Sequence, residues 1–164
     1  MENQNKNGLI ITRVFNAPVE TVWRYFSEPE FYKWWGPKNF TAPVVKIDFK
    51  VGGKFLGCMR GAPVEGAPVQ DFWSTGTYRE IVPMKKIVVT DSFADENGDV
   101  VPSSHYGMEG MPMEMLVTFE FEEVEDGKTK MTLKHEGIAN IPDEHRIGME
   151  QGWNESFDKL SKIL

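Results

Sequence analysis

The stretch MEMLVTFEFEEVEDGKTKMTLKH, residues 113–135, decides the fold. Apolar and polar side chains alternate from Met113 to Glu122, which predicts a strand with one buried and one wet face. Asp126-Gly127 predicts a hairpin turn. Alternation then resumes to His135, so the stretch predicts two antiparallel strands. Their buried faces carry the following residues: Met115, Val117, Phe119, Phe121, Met131, Leu133 and His135.

C-terminal to this hairpin, the periodicity changes from two residues to that of a helix. Met149, Trp153, Phe157, Leu160 and Leu164 are spaced by four, four, three and four residues. This single apolar stripe predicts a long helix from about residue 143 to 163, with Asp143 as its N-cap. The stripe needs an apolar surface to cover, and the hairpin offers one.

The N-terminal half contributes further strands and two short helices. A β-branched run over 9–15 predicts the first strand, and helical spacing from Val19 to Phe26 predicts the first helix. Ser27 and Glu30 form a capping-box pattern, which predicts a second short helix from about Glu28 to Trp35. Strands are then predicted around 45–49, 54–59, 73–82 and 86–93. Residues 94–112 are predicted as a long loop at one open end of the fold, with His105 and Tyr106 solvated or closing over a pocket.

Length and composition exclude several classes of protein. The 164 residues fit one domain over 8–164, preceded by a disordered tail at 1–7. The net charge of −7 argues against a nucleic acid partner, and no apolar run is long enough for membrane insertion. The lone Cys58 and the polar N-terminus favour a cytoplasmic location. Three scattered histidines show no metal-ligand spacing, and no phosphate-loop or dinucleotide motif occurs, so we expect no metal and no cofactor.

Several short motifs, in this order, resemble a known family. They are Phe15-x-Ala-Pro-Val-Glu-x-Val-Trp23, Trp34-Trp-Gly-Pro37, Asp48-x-Lys-x-Gly-Gly53, Gly76-x-Tyr-x-Glu-Ile-x-Pro83 and Gly152-Trp-x-x-x-Phe157. The sequence resembles proteins like the C-terminal domain of the activator of heat-shock protein 90 ATPase, within the START-like (SRPBCC) superfamily. The resemblance covers about residues 9–164. It implies an α+β helix-grip fold like that of the birch-pollen allergen: a curved antiparallel sheet of six or seven strands, two short helices and a long C-terminal helix packed across the sheet.

The helix-grip fold allows a cavity between the long helix and the sheet. We expect a small hydrophobic ligand there, aromatic or lipid-like, because aromatic and methionine side chains crowd the predicted buried faces. One of Trp34 and Trp35 is expected to plug the core and the other to lie at the cavity mouth. The candidate ligand-binding residues are Trp34, Trp35, Met115, Phe119, Phe121, Met131, Leu133, His135, Trp153 and Phe157.

Two other functions stay open at this point. The first is a cofactor-independent enzyme of the same fold, a cyclase or hydrolase, with His135 as acid or base. The second is a protein-interaction domain with a chaperone partner, as in the protein after which the family is named. The sequence also leaves a homodimer open. Converging polar groups with shifted pKa values would favour the enzyme, whereas a filled interior with an exposed apolar patch would favour a protein partner.

Overall fold

Seven antiparallel strands form one sheet in the computed structural model, which describes residues 8–164. The tail predicted at 1–7 lies outside the described residues. The spatial order is β1-β7-β6-β5-β4-β3-β2, so β1 pairs with β7 and every other neighbour is joined by a consecutive connection. The strands are β1 Gly8–Phe15, β2 Thr41–Ile47, β3 Lys54–Gly61, β4 Gln70–Val82, β5 Lys86–Ala94, β6 Met115–Val124 and β7 Lys128–Glu136.

Two α-helices and a short 3₁₀ helix complete the predicted helix-grip α+β fold, which is confirmed. Helix α1 spans Val19–Ser27, the 3₁₀ helix spans Pro29–Lys33, and α2 spans Asp143–Ile163. The capping box at Ser27 is wrong, because the Ser27 hydroxyl instead donates to the Trp23 carbonyl inside α1, at 2.9 Å. Asp143 begins α2 rather than capping it, and Pro142 occupies the N-cap position.

Polar contacts hold helix α2 to the rest of the fold at both ends. Near its start, Arg146 donates to the Gly8 carbonyl at 2.9 Å, and further contacts lie in its C-terminal half. There the Ser156 hydroxyl accepts a hydrogen bond from the Gly36 amide at 3.0 Å, and the Lys159 ammonium donates to the Phe40 carbonyl at 2.9 Å. From β1, Arg13 donates to Asp158 at 2.7 Å. The buried residues of α2 are Ser156, Phe157 and Leu160, all in this half. The N-terminal half therefore covers the sheet without filling the space beneath it.

The segment between β5 and β6 is more ordered than its predicted loop character suggests. A tight turn at 95–99 brings the Val101 amide back to the Phe93 carbonyl at 2.9 Å, and Ala94 bridges Val100. A 3₁₀ turn at Ser103–Tyr106 follows. Strand β6 begins at Met115, so Met113, predicted within it, is an exposed loop residue. Within the described residues, no helix is long and apolar enough to cross a membrane.

Candidate functional site

A cavity of about 1230 Å³ lies between the N-terminal half of α2 and the concave face of the sheet. Strands β3 to β7 contribute to its floor and walls, and the segment 108–111 closes one end with Met108 and Met111. Solvent-exposed residues at the rim, among them Asn39, Val64 and Gln151, mark where the cavity opens. Its volume is far larger than that of an ordinary packing void and lies slightly above the ~300–1,000 Å³ typical of small-molecule sites.

The deep part of the cavity is apolar. Period-two alternation brings inward-facing side chains of β5 and β6 to the floor, and α2 supplies the opposite wall. The deep lining consists of Tyr78, Ile87, Val89, Met115, Val117, Phe119, Met149 and Trp153. Most of these side chains are buried in the protein, so the floor is shielded from bulk water.

Away from the cavity, aromatic rings from α1 and from Trp34, just after the 3₁₀ helix, pack between the sheet and α2. Trp34 stacks on Phe157 with ring centroids 5.7 Å apart, and Phe26 lies 5.0 Å from Phe121. The same inward face of the sheet therefore has two environments: it is packed against α1 at one end and open beneath α2 at the other. Sequence periodicity predicts which side chains face inward but cannot say which of them meet α1.

The structure consequently divides the ten predicted ligand-binding residues into two equal groups. Five line the cavity: Trp35, Met115, Phe119, His135 and Trp153. The other five pack in the core instead and do not line it: Trp34, Phe121, Met131, Leu133 and Phe157. A ligand contact for any of the ten remains a prediction.

The two adjacent tryptophans have different positions, as expected. Trp34 is fully buried, and its indole N–H donates to the Tyr25 carbonyl at 2.7 Å. Trp35 lies in the cavity wall and covers Gly57 on β3. A Cβ at Gly57 would lie 2.6 Å from the Trp35 ring, so glycine at this position leaves the space that the indole occupies.

A hydrogen bond from α2 fixes the tautomer of His135. The Trp153 indole N–H donates to His135 Nδ1 at 3.0 Å. An indole nitrogen can only donate, so Nδ1 must be the acceptor and a neutral imidazole carries its proton on Nε2. Burial lowers the pKa of His135 to about 4, so the ring is neutral at pH 7. Nε2–H is buried and has no hydrogen-bond partner in the described part of the chain.

Asp91 lies beside this unpartnered donor. It is on β5, whereas His135 is on β7, and the two side chains meet above β6 with Oδ2 3.4 Å from Nε2. Burial raises the pKa of Asp91 to about 6, so the carboxylate is mostly ionised at pH 7. The cavity floor thus presents one neutral donor and one anionic acceptor side by side, among mostly apolar side chains.

Asp91 is the residue that sequence reasoning missed. The signal was present: Ile87, Val89, Asp91 and Phe93 occupy alternate positions of one strand, and the carboxylate interrupts an apolar inward face. A charged residue at such a position is costly unless it has a partner or a function. The strand pattern of 86–93 accounts for the apolar positions and leaves Asp91 unexplained.

Tyr106 also differs from expectation, because it is half-buried and does not line the cavity. Its hydroxyl donates to the Ala94 carbonyl at 2.5 Å and accepts from the Trp73 amide at 3.0 Å. It therefore holds the segment after β5 against β4, and His105 beside it is exposed. Within residues 8–164, no group of three or more potential metal ligands is found.

Comparison with known proteins finds solved structures with the same fold. No curated protein matches the sequence. Solved structures do: a protein from Mycobacterium smegmatis, Ms6760, has a TM-score of 0.79 at 23% identity, covering 99% of this chain and 93% of that one. NE0264 from Nitrosomonas europaea has a TM-score of 0.73 at 24% identity, covering 99% and 96%. A protein from Staphylococcus epidermidis has a TM-score of 0.73 at 26% identity, covering 99% and 92%.

A family model supplies the assignment that these structures, at such low identity, cannot supply by themselves. The model described as Activator of Hsp90 ATPase homolog 1-like protein matches residues 16–164, which is nearly the whole chain. The match includes α1, both tryptophans of the 34–37 motif and all of α2. The chain therefore belongs to the family of activator of Hsp90 ATPase homolog 1-like proteins, with a START-like helix-grip fold.

Proposed function

We propose that this protein binds a small hydrophobic ring compound or lipid-like molecule in the cavity beneath α2. The observation that carries the proposal is the cavity itself, about 1230 Å³ with a largely aromatic, aliphatic and methionine floor. Unfilled apolar volume lowers the stability of a fold. A sequence selected for stability alone would therefore fill a space of this size with side chains. A bound apolar molecule would replace the contacts that the open space lacks.

The expected affinity is in the micromolar range. Removing roughly 400 Å² of apolar surface from water would contribute about 10 kcal/mol at ~25 cal/mol per Å². Association costs at least about 4 kcal/mol of this. The remaining ~6 kcal/mol corresponds to a Kd of tens of micromolar, and each good hydrogen bond at the floor would tighten it further.

The proposal is tested by native mass spectrometry of protein purified from its own host, combined with a variant that fills the cavity. Val89→Phe adds a ring at the cavity floor, whereas Val14→Phe adds the same ring at an exposed position of β1. A retained small molecule that is lost in Val89→Phe and kept in Val14→Phe is the expected result. A ligand retained equally by both variants would place binding elsewhere and refute the proposal.

A second candidate function is supported by the Asp91–His135 pair. Two polar groups converge at 3.4 Å, and burial shifts the pKa of each. A carboxylate with a pKa near 6 is a suitable base at neutral pH. It could take a proton from the carbon next to a ketone, while the His135 Nε2–H donates to the oxygen that becomes negative. His135 would then be a hydrogen-bond donor rather than the acid or base expected from the sequence.

Deuterium incorporation tests this second candidate. An apolar enolisable ketone such as 2-tetralone, incubated with protein in D₂O, should gain deuterium faster than in buffer alone, and Asp91→Asn should remove the acceleration. Exchange at the buffer rate with wild-type protein would leave only the binding function. A chaperone partner, a homodimer and a cytoplasmic location remain predictions from the sequence.

A further inference from the structure

We propose that Asp91 and His135 form a two-point site for a hydroxyl group, so that the cavity selects an uncharged hydroxyl-bearing ring compound over the corresponding carboxylic acid. This inference rests on the proposed binding function and specifies the ligand class for it. It is drawn from the directions in which the two side chains can hydrogen-bond, and not from the size of the cavity.

His135 supplies the hydrogen-bond donor of this site. His135 Nε2 is buried and lacks a partner within residues 8–164, while Nδ1 is occupied by the Trp153 indole. A buried donor without an acceptor costs about 1–3 kcal/mol. Because Trp153 determines the tautomer, His135 cannot relieve this cost by moving its proton to Nδ1. An acceptor atom on a ligand in the cavity would relieve it.

Asp91 supplies the hydrogen-bond acceptor. Asp91 Oδ2 lies 3.4 Å from Nε2, and the Asp91 side chain keeps 29% of its surface exposed. The two atoms are not aligned for a direct hydrogen bond, so Nε2–H is left without an acceptor. A hydroxyl oxygen about 2.8 Å from each atom would need the pair to open by roughly 1 Å. A rotation of the partly exposed Asp91 side chain can supply that movement.

These two groups together determine which ligand chemistry fits. A hydroxyl both donates and accepts, so it can accept from Nε2–H and donate to Oδ2 at once. An ether or ketone accepts only and leaves Asp91 without a donor. A carboxylate places a second negative charge beside Asp91 in a poorly solvated site, which is unfavourable. The order of preference is therefore hydroxyl, then ether, then carboxylate on the same ring system.

The test uses three probes with one skeleton: 2-naphthol, 2-methoxynaphthalene and 2-naphthoate. Calorimetric or NMR titration at pH 7.5 should give the tightest binding for 2-naphthol and at least about 10-fold weaker binding for 2-naphthoate, as expected for a hydrogen bond to a charged group. Asp91→Asn removes the charge and adds an amide donor. In this variant 2-naphthoate should bind within about 3-fold of 2-naphthol.

A matched control changes another carboxylate to an amide on the opposite face of the sheet. Glu120→Gln on β6, where Glu120 pairs with Lys134 outside the cavity, should keep the wild-type order of affinities. His135→Gln should weaken the binding of 2-naphthol and of 2-methoxynaphthalene to a similar degree, because the oxygen of either probe accepts from Nε2–H.

The outcomes separate the two proposals. If all three probes bind wild type with similar affinity, or if Asp91→Asn leaves their ratio unchanged, the hydroxyl site is wrong while the binding function stands. If 2-naphthoate binds wild type most tightly, the inference is also wrong, and the site favours anions. If none of the probes shows saturable binding, both proposals fail.

Discussion

Replacement of Asp91 by asparagine should stabilise the protein at neutral pH, because the fold raises the pKa of this carboxyl. In the unfolded chain its pKa is 3.8, and burial in the fold raises it to about 6. The folded protein therefore holds the proton more tightly than the unfolded chain does. Ionisation of Asp91 begins to cost stability above pH 3.8, and the cost is complete above about pH 6.

The magnitude follows from the difference between the two pKa values. At ~1.4 kcal/mol per pKa unit, a rise from 3.8 to about 6 corresponds to about 3 kcal/mol. Since 29% of the side chain is exposed, solvent screening reduces this to about 2 kcal/mol. The asparagine side chain has nearly the same shape as that of aspartate and never ionises. Asp91→Asn should therefore gain about 2 kcal/mol at pH 7 and almost nothing at pH 4.

Urea unfolding of both proteins between pH 4 and pH 8 measures this difference. His135 has the opposite dependence: burial lowers its pKa from 6.5 to about 4, so its contribution to stability is present above pH 6.5 and lost as the pH falls. Both proteins contain His135, so subtracting the two curves removes the part of its titration that does not depend on the neighbouring Asp91. A difference that stays flat with pH, or an Asp91→Asn variant less stable at pH 7 than wild type, would refute the reasoning.

Three further predictions concern packing and reactivity. Phe157→Ala should lower the free energy of unfolding in urea by about 3–5 kcal/mol, whereas Met149→Ala, beside the cavity, should lower it by less than about 2 kcal/mol. Equal losses would contradict the division of the space between α2 and the sheet into a packed end and an open end. Gly148→Ala should raise stability by up to about 1 kcal/mol, because a Cβ there meets nothing within 4 Å, and a loss would reveal a contact not seen in the structure. Cys58 is fully buried, and its pKa is raised to about 11, chiefly by burial. A disulfide reagent at pH 8 should therefore label it only after unfolding. Rapid labelling of the native protein would show that β3 opens.

The fold could be predicted largely from the sequence because its signals are local and repeated. The alternation at 115–122 is reproduced as β6, the Asp126-Gly127 turn joins β6 to β7, and the stripe from Met149 to Leu164 is reproduced as α2. Capping positions were less predictable. Ser27 and Pro142 show that a cap depends on where the preceding chain turns, which three or four residues do not determine.

The candidate site was only half predictable. Periodicity shows that Phe119 and Phe121 share one face of β6, yet Phe119 lines the cavity and Phe121 packs against Phe26 and Trp23. That distinction depends on where α1 lies across the sheet, which is a long-range property. Asp91 was visible in the sequence as an exception to an apolar pattern. Its proximity to His135 was not, because the two lie on strands separated by β6.

The central claim, that the space beneath α2 binds a small apolar molecule, is tested most directly by the indole N–H signals of the five tryptophans in ¹⁵N NMR spectra. Trp153 borders the cavity, whereas Trp34 is fully buried and bonded to the Tyr25 carbonyl, so it serves as an internal control. On titration with 2-naphthol, the account predicts a saturable shift of the Trp153 signal with little change at Trp34. A Trp153 signal that does not move, or moves only linearly to the solubility limit, would contradict the claim.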